Sequence, residues 1–359
     1  MFVRLERRPT LSGRMHIVAP LLSVALTFIF GSLIFAMLGI SPLHAYEVIF
    51  LNPLKSTYGL AELFLKATPL IMIATGLAIG FRAGVFNIGA EGQYIAGAVA
   101  ATGVVLYAGE QQNSVVLLGQ MMLAGLLGGM LLAAIVAWLR VQFNANEILV
   151  SLMLVYIAQL AASWLIHGPW RDPGGYGFPQ SKVFPDNALL PILLEGARVN
   201  VVSLLAILLL LLSFVFIFRS FAGFKMQLNG YARSAMRYAG FSSNSVVWTG
   251  MLAGGGMAGL AGMAEVSGPA GQLTEYISNG YGFAAIIVAF IGRLHPFGIV
   301  LAGLLMALLY LGGEQARYYL SIPASIGYVF QGMLLFFLLG CDVFTGYRCR
   351  MAWPLRWGA

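Results

Sequence analysis

Apolar residues fall in long runs along this chain, separated by short polar stretches. Ten runs are legible, at roughly 16–40, 61–81, 85–107, 115–139, 147–167, 199–219, 245–266, 281–292, 297–313 and 322–342. A helix needs about 20 residues to cross roughly 30 Å of hydrocarbon, and most of the runs meet that length. Lipid offers the backbone no hydrogen-bond partners, so every span is predicted to be helical. The eighth run is too short to cross alone and reads as a half-helix joined to the Gly-rich stretch before it. The expected fold is all-α and polytopic, with about ten transmembrane helices. Two halves of five would enter the membrane from opposite sides, which is an inverted repeat with broken helices. That plan follows from span counting, since no sequence repeat between the halves is evident.

Two polar islands interrupt the apolar pattern. The first, "FRAGVFNIGAEGQ" from Phe81, places Asn87, Glu91 and Gln93 among glycines. A helix through 85–107 would set Asn87 and Glu91 on one face. An ionisable group at membrane depth is costly and usually serves a site or a partner. The other reading of Glu91 is a carboxylate that bonds a backbone amide in a broken helix. The second island runs from Ala264 to Gly298 and carries Glu265, Gln272, Glu275 and Asn279 with Tyr276, Tyr281 and Phe283. Such groups suit the edges and faces of a planar ligand. Asn279, Tyr281 and Phe283 precede or open a short helix whose N-terminus offers free amides. They read either as a pathway wall or as an external loop with interfacial aromatics.

Composition agrees with a membrane protein. Hydrophobic residues make up 60% of the 359 and charged residues 9%, with a mean hydropathy of +0.86. A soluble domain carries about a quarter charged residues. The net charge of +7 is read as a topology signal and not as a nucleic-acid footprint, because no soluble basic domain is present. With the N-terminus inside, fourteen basic residues fall inside and five outside, and Lys66 falls within a span. The expected location is therefore the inner (plasma) membrane, with both termini cytoplasmic. The whole chain reads as one transmembrane domain, with an N-tail 1–15, an external loop 168–198, a cytoplasmic segment 220–244 and a C-tail 343–359. Cys341 and Cys349 fall at a cytoplasmic end, where a disulfide is not expected. The first run shows no small-residue cleavage site, so no removable signal peptide is expected. Gly125-x-x-x-Gly129 and Gly255-x-x-x-Gly259 are small-residue seams that let helices approach closely.

Several chemistries have no motif here. There is no G-x-x-x-x-G-K-[ST] phosphate loop, no H-E-x-x-H zinc motif and no G-x-S-x-G nucleophile elbow. Neither a nucleophile with a base nor a convincing carboxylate pair is evident, so no catalytic residue or metal site is expected. In the cytoplasmic segment, "YARSAMRYA" is predicted to be a short helix bounded by Gly230 and Gly240. Ala232, Ala235, Met236 and Ala239 form a small apolar face flanked by Arg233 and Arg237. The face suits a partner's groove. The competing reading is an interfacial helix on anionic lipid headgroups.

"FRAGVFNIGAEGQ" resembles a signature of the nucleoside-type permeases of bacterial ABC importers, within the branched-chain amino acid and simple-sugar permease superfamily. "NGYGFAAIIVAFIGRLHPFG", with the apolar run that follows it, resembles that family's second signature. "FKMQLNGYARSAMRYAGF" is similar to its cytoplasmic coupling segment. Sugar permeases of the superfamily usually carry an Asp-Leu-Ser type stretch where this chain has Phe86-Asn87-Ile88-Gly89, which favours nucleosides over pentoses; the expected cargo is a nucleoside, purine nucleosides foremost. The resemblance implies a second related permease subunit, an ATP-binding subunit that holds ATP and Mg, and a substrate-binding lipoprotein outside. No cofactor is expected in this chain. The rival readings are a simple-sugar ABC permease, an integral-membrane transferase and a stand-alone secondary transporter.

Overall fold

The structure is a computed structural model, and it describes residues 2–7, 13–108, 112–194 and 196–352. Parts of both tails, residues 1, 8–12 and 353–359, lie outside the described residues, and with them Arg8 and Arg356 of the charge count. The helices are α1 (Gly13–Met37), α2 (Pro42–Tyr46), α3 (Thr57–Arg82), α4 (Ala90–Tyr107), α5 (Ser114–Phe143), α6 (Glu147–His167) and α7 (Val202–Arg219). They continue as α8 (Phe221–Tyr231), α9 (Arg233–Tyr238), α10 (Ser243–Ser267), α11 (Tyr281–Ile291), α12 (Pro296–Tyr319) and α13 (Ile326–Gly346). Each of the ten apolar runs appears as a helix. Eight are long and apolar enough to cross a membrane, and α4 and the short α11 complete the set. The fold is that of an all-α polytopic membrane protein.

Side-chain caps set several helix starts. Ser56 accepts from the amide of Gly59, Asn113 from Val115, Asn146 from Ile148 and Ser220 from Gly223. Each satisfies an amide that the first helical turn leaves unpaired. Asn144, left-handed at φ 53°, ends α5.

The chain forms two compact units. One comprises residues 1–55 and 308–359. In it α1 runs along α13. Gly31 permits the approach, since a Cβ there would lie 2.5–2.6 Å from the Phe330 ring. Phe35 stacks on Phe330 at 5.6 Å between ring centroids. Strands β1 (Phe2–Arg7) and β2 (Tyr347–Ala352) pair antiparallel, Phe2 opposite Ala352 and Arg7 opposite Tyr347.

The other unit, Ser56–Ala307, holds both polar islands. Its centre is α3 and α10, with α4 and α5 against α10 and α11 against α3. The two glycine seams meet each other, because a Cβ on Gly129 would strike the carbonyl of Gly255 and one on Gly259 that of Gly125. Backbones at this separation gain van der Waals contact that larger residues would prevent. By contrast α6 and α7 keep apolar faces open, with Leu160, Trp164, Leu204 and Leu211 all more than half exposed.

Candidate functional site

The first polar island is a true break between helices. After α3, Gly84 turns left-handed at φ 69°. The Val85 amide donates to the Gly80 carbonyl at 3.0 Å and the Gly84 amide to Phe81 at 3.1 Å, which closes the helix end. Residues 85–89 then run without helix, and α4 begins only at Ala90. This corrects the expectation of one helical face shared by Asn87 and Glu91, because Asn87 precedes the helix. It occupies the break through a closed pair of side-chain amides. Asn87 Nδ2 donates to Gln93 Oε1 at 2.8 Å, and Gln93 Nε2 donates back to Asn87 Oδ1 at 3.1 Å. Asn87 Oδ1 also accepts from the Gly89 amide at 3.0 Å. Both residues are buried, at 2% and 1% exposure, so burial requires this mutual satisfaction.

The second break, residues 268–280, comes up against the first. Glu91, 2% exposed, reaches across to the start of α11. Ser278 donates its hydroxyl to Oε1, and the Gly282 amide donates to Oε2 at 2.6 Å. Residues nearly 190 positions apart are thus joined, and the amides expected to be free at the start of α11 are engaged by this carboxylate. A negative group at a helix N-terminus also meets the favourable end of the helix dipole. Tyr281 is buried edge-on against Tyr94 at 6.1 Å, and the Tyr94 hydroxyl donates to the Ile277 carbonyl at 3.3 Å. Asn279 and Phe283 remain accessible, Phe283 at 39%. The predicted residues thus fall in two places: Asn87 and Gln93 pair with each other in the first break, while Glu91 meets the start of α11, where Tyr281 is buried and Asn279 and Phe283 are exposed.

Glu265 lies apart from the amide pair, on a cavity of about 140 Å³ shared with Glu62, Lys66, Arg198 and Tyr281. Arg198 grips the buried Glu62 with two hydrogen bonds, Nε to Oε1 at 2.9 Å and Nη2 to Oε2 at 2.6 Å. Those bonds hold the guanidinium even more firmly protonated than usual. Sequence reasoning missed this charge cluster. Glu62 and Lys66 stand four apart on α3, a signal that was legible, but their partner on the 168–201 segment was not.

The 220–244 segment folds as two helices instead of one. Ala232, at φ −151° and ψ 79°, separates α8 from the six-residue α9. Gly240 follows α9 at φ 79°, as expected, whereas Gly230 belongs to α8 and does not open the short helix. Gly230 instead presses α8 on the end of α3, where a Cβ would strike the Arg82 carbonyl. The apolar face of α9 divides. Met236 is fully buried in the chain's own core with Ile79, Ala83 and Met251, so its side chain is not part of an outward face. Ala235 and Ala239 are exposed and Ala232 is half-buried. Arg233 and Arg237 line a cavity of about 540 Å³ with Arg140, Asn144 and Glu147, where Arg140 pairs with Glu147 at 2.5 Å. A hydrogen-bonded chain leads inward from α9. Arg233 Nε donates to Ser243 Oγ at 3.1 Å, Ser243 to Asn229 Oδ1 at 2.9 Å, and Asn229 Nδ2 to the Ala83 carbonyl at 2.7 Å. Ala83 is the residue at which α3 breaks.

Helices of spanning length, apolar faces left outward and polar groups gathered at two backbone breaks define a multi-pass membrane protein built on broken helices. The profile of the family described as branched-chain amino acid transport system, permease component, matches residues 59–339, and the chain belongs to that family. It is 35% identical to a glucose ABC transporter permease protein of Haloferax volcanii over 99% of this chain and 95% of that one. It is 28% identical to a guanosine ABC transporter permease protein of Bacillus subtilis, over 90% and 93% of the two chains. It is 26% identical to a nucleoside ABC transporter permease protein of Lactococcus lactis, over 90% of each. No solved structure matches the chain. As an ABC permease the protein is not an enzyme, and ATP hydrolysis lies in a separate subunit. Family membership sets aside the transferase and the stand-alone transporter.

Proposed function

We propose that this chain is the permease subunit of an ABC importer that carries nucleosides, purine nucleosides foremost, across the inner membrane by alternating access. The observation that carries the proposal is the hydrogen-bonded route from α9 through Ser243 and Asn229 to the break after α3. It gives a partner docked on α9 a mechanical hold on the end of α3, just before the stretch that carries Asn87, Glu91 and Gln93. In this reading an ATP-binding subunit with bound ATP and Mg docks on Ala232, Ala235 and the flanking Arg233 and Arg237. A second related permease completes the path, a lipoprotein delivers substrate from outside, and both termini are cytoplasmic. The nucleoside relatives support the substrate class. The glucose permease relative favours a second reading, a simple-sugar importer.

The test is ATP-dependent uptake of labelled guanosine, uridine and glucose by the full transporter in proteoliposomes. Saturable nucleoside uptake that excess glucose leaves unchanged is the expected result. Glucose uptake without nucleoside uptake establishes the sugar reading instead. Ala235→Glu is expected to abolish pull-down of the ATP-binding subunit while the permease still inserts, and unchanged pull-down removes α9 as its docking site.

A further inference from the structure

The charge cluster beside the second break surrounds the cavity of about 140 Å³, whose walls come from four elements. Glu62 and Lys66 stand one turn apart on α3, Glu265 lies in the last turn of α10, Ala270 belongs to the break, and Tyr281 opens α11. The break is fastened at this point, because the Ala270 amide donates to the Glu265 carbonyl at 3.1 Å. Irregular backbone in a membrane protein is tolerated where it lines a cavity. Glu62 and Tyr281 are buried, and Lys66 and Glu265 are half-buried. The space is about ten times what a single water needs.

The charges divide unequally. Glu62 is satisfied by the two bonds from Arg198. Glu265 is not: among the described residues its carboxylate has no hydrogen bond and no ion pair, although Lys66 and Arg198 lie within electrostatic reach of it. An ionisable group on a spanning helix is costly and usually serves a site or a partner. A carboxylate only accepts, and an ammonium only donates, with three N–H groups to share. Whatever bridges Glu265 and Lys66 across the cavity must therefore donate to one and accept from the other. A hydroxyl does both, and two adjacent hydroxyls on a rigid ring do so with their spacing already fixed. Nucleosides and simple sugars, the two solute classes weighed above, have such a pair of hydroxyls in common.

We propose that this cavity is a subsite for the vicinal hydroxyls of a sugar ring, the ribose of a nucleoside or a free sugar alike, with Glu265 accepting from one hydroxyl and Lys66 donating to its neighbour. The inference rests on the importer reading and deepens it by naming the part of the solute that is held. Because Ala270 and Tyr281 line the same cavity, an occupant touches both ends of the second break.

The test is solute protection of a thiol in the complete transporter in proteoliposomes, with Cys341 and Cys349 changed to Ser. Ala270→Cys and Leu65→Cys place a thiol on the cavity, and Tyr176→Cys, at an exposed position away from it, is the control. N-ethylmaleimide should label all three. Millimolar inosine or glucose should slow labelling of the cavity thiols at least about fivefold, as occupancy at four or more times Kd requires, and leave the control unchanged. 2′,3′-Dideoxyinosine, which lacks the adjacent ribose hydroxyls, should not protect. Glu265→Gln or Lys66→Met, added to the Ala270→Cys protein, should abolish protection. Labelling at neither cavity position, protection by neither solute, or equal protection by 2′,3′-dideoxyinosine and inosine overturns the subsite. Protection that survives in both Glu265→Gln and Lys66→Met overturns it as well. So does protection by leucine in place of these solutes, since the bridging ligand would then be a zwitterion. Protection by glucose alone, lost in Glu265→Gln, supports the subsite and refutes only the nucleoside reading of the importer.

Discussion

Gly282→Ala tests the junction between the two broken helices directly. A Cβ built on Gly282 lies 2.7 Å from the carbonyl carbon of Ala90 and nearer still to the backbone N and Cα of Glu91. Ordinary van der Waals contact begins near 3.4 Å, and all of these neighbours are backbone, which no rotamer change can move aside. The start of α11 must therefore retreat from α4 by at least about 0.7 Å, a shift of the kind that overpacking forces. The Gly282 amide, now 2.6 Å from Glu91 Oε2, would move beyond the usual 3.2 Å limit of an N–H···O bond. Overpacking costs about 1–3 kcal/mol, and a lost hydrogen bond to a charged group about 1.5–3 kcal/mol. A loss of roughly 2.5–6 kcal/mol is expected. The control is Gly119→Ala in α5, where nothing lies within 4 Å of the new Cβ. It should be neutral or gain about 0.5–1 kcal/mol, the usual difference between glycine and alanine in a helix. Equilibrium unfolding of both variants in mixed micelles with increasing SDS measures the difference. A Gly282→Ala protein within about 1 kcal/mol of the Gly119→Ala protein would refute the close backbone packing, since one lost charged hydrogen bond alone exceeds that figure.

Asn229→Ala removes both the donor to the Ala83 carbonyl and the acceptor for Ser243. Solute carried per ATP hydrolysed should fall severalfold with the complex intact, and an unchanged ratio would remove this chain from the coupling route. Arg198→Met leaves Glu62, 5% exposed, without its cation. Loss of one partner of a buried pair costs about 3–5 kcal/mol, reduced to roughly 1–3 kcal/mol here because Arg198 is half exposed. Thermal unfolding should show that loss and its partial recovery in Arg198→Met with Glu62→Gln, and equal stability of the single and double variants would contradict it. On the proposed nucleoside reading, Phe283→Ala should reduce uptake more than Phe283→Tyr, because ring stacking on a base is worth roughly 1–3 kcal/mol. Equal wild-type uptake in both variants would assign Phe283 to packing.

The number and kind of helices were legible in the residues because apolar run length is a local property. An unbroken apolar stretch of about 20 residues has one stable solution in lipid. The break at Gly84–Gly89 and the short α11 were also visible, through glycines and run length. Boundaries slipped where local patterning and backbone chemistry disagreed. The run from residue 85 is apolar enough for helix, yet the closure at Gly80–Val85 and the Asx turn of Asn87 delay α4 to Ala90. The helix expected from Tyr231 to Ala239 shortened because Gly230 is needed inside α8, against the Arg82 carbonyl.

The order of residues alone thus specifies an all-helical membrane protein with polar groups at two broken helices. Which of those groups meet is set by the packed fold. It paired Asn87 with Gln93, set Glu91 on the amide of Gly282, joined Arg198 to Glu62 and turned Met236 inward. The reason is the range of the interaction. A span is specified by hydrophobicity summed over neighbours in the chain. A buried polar group is specified by one partner within about 3 Å, and that partner can lie anywhere in the chain.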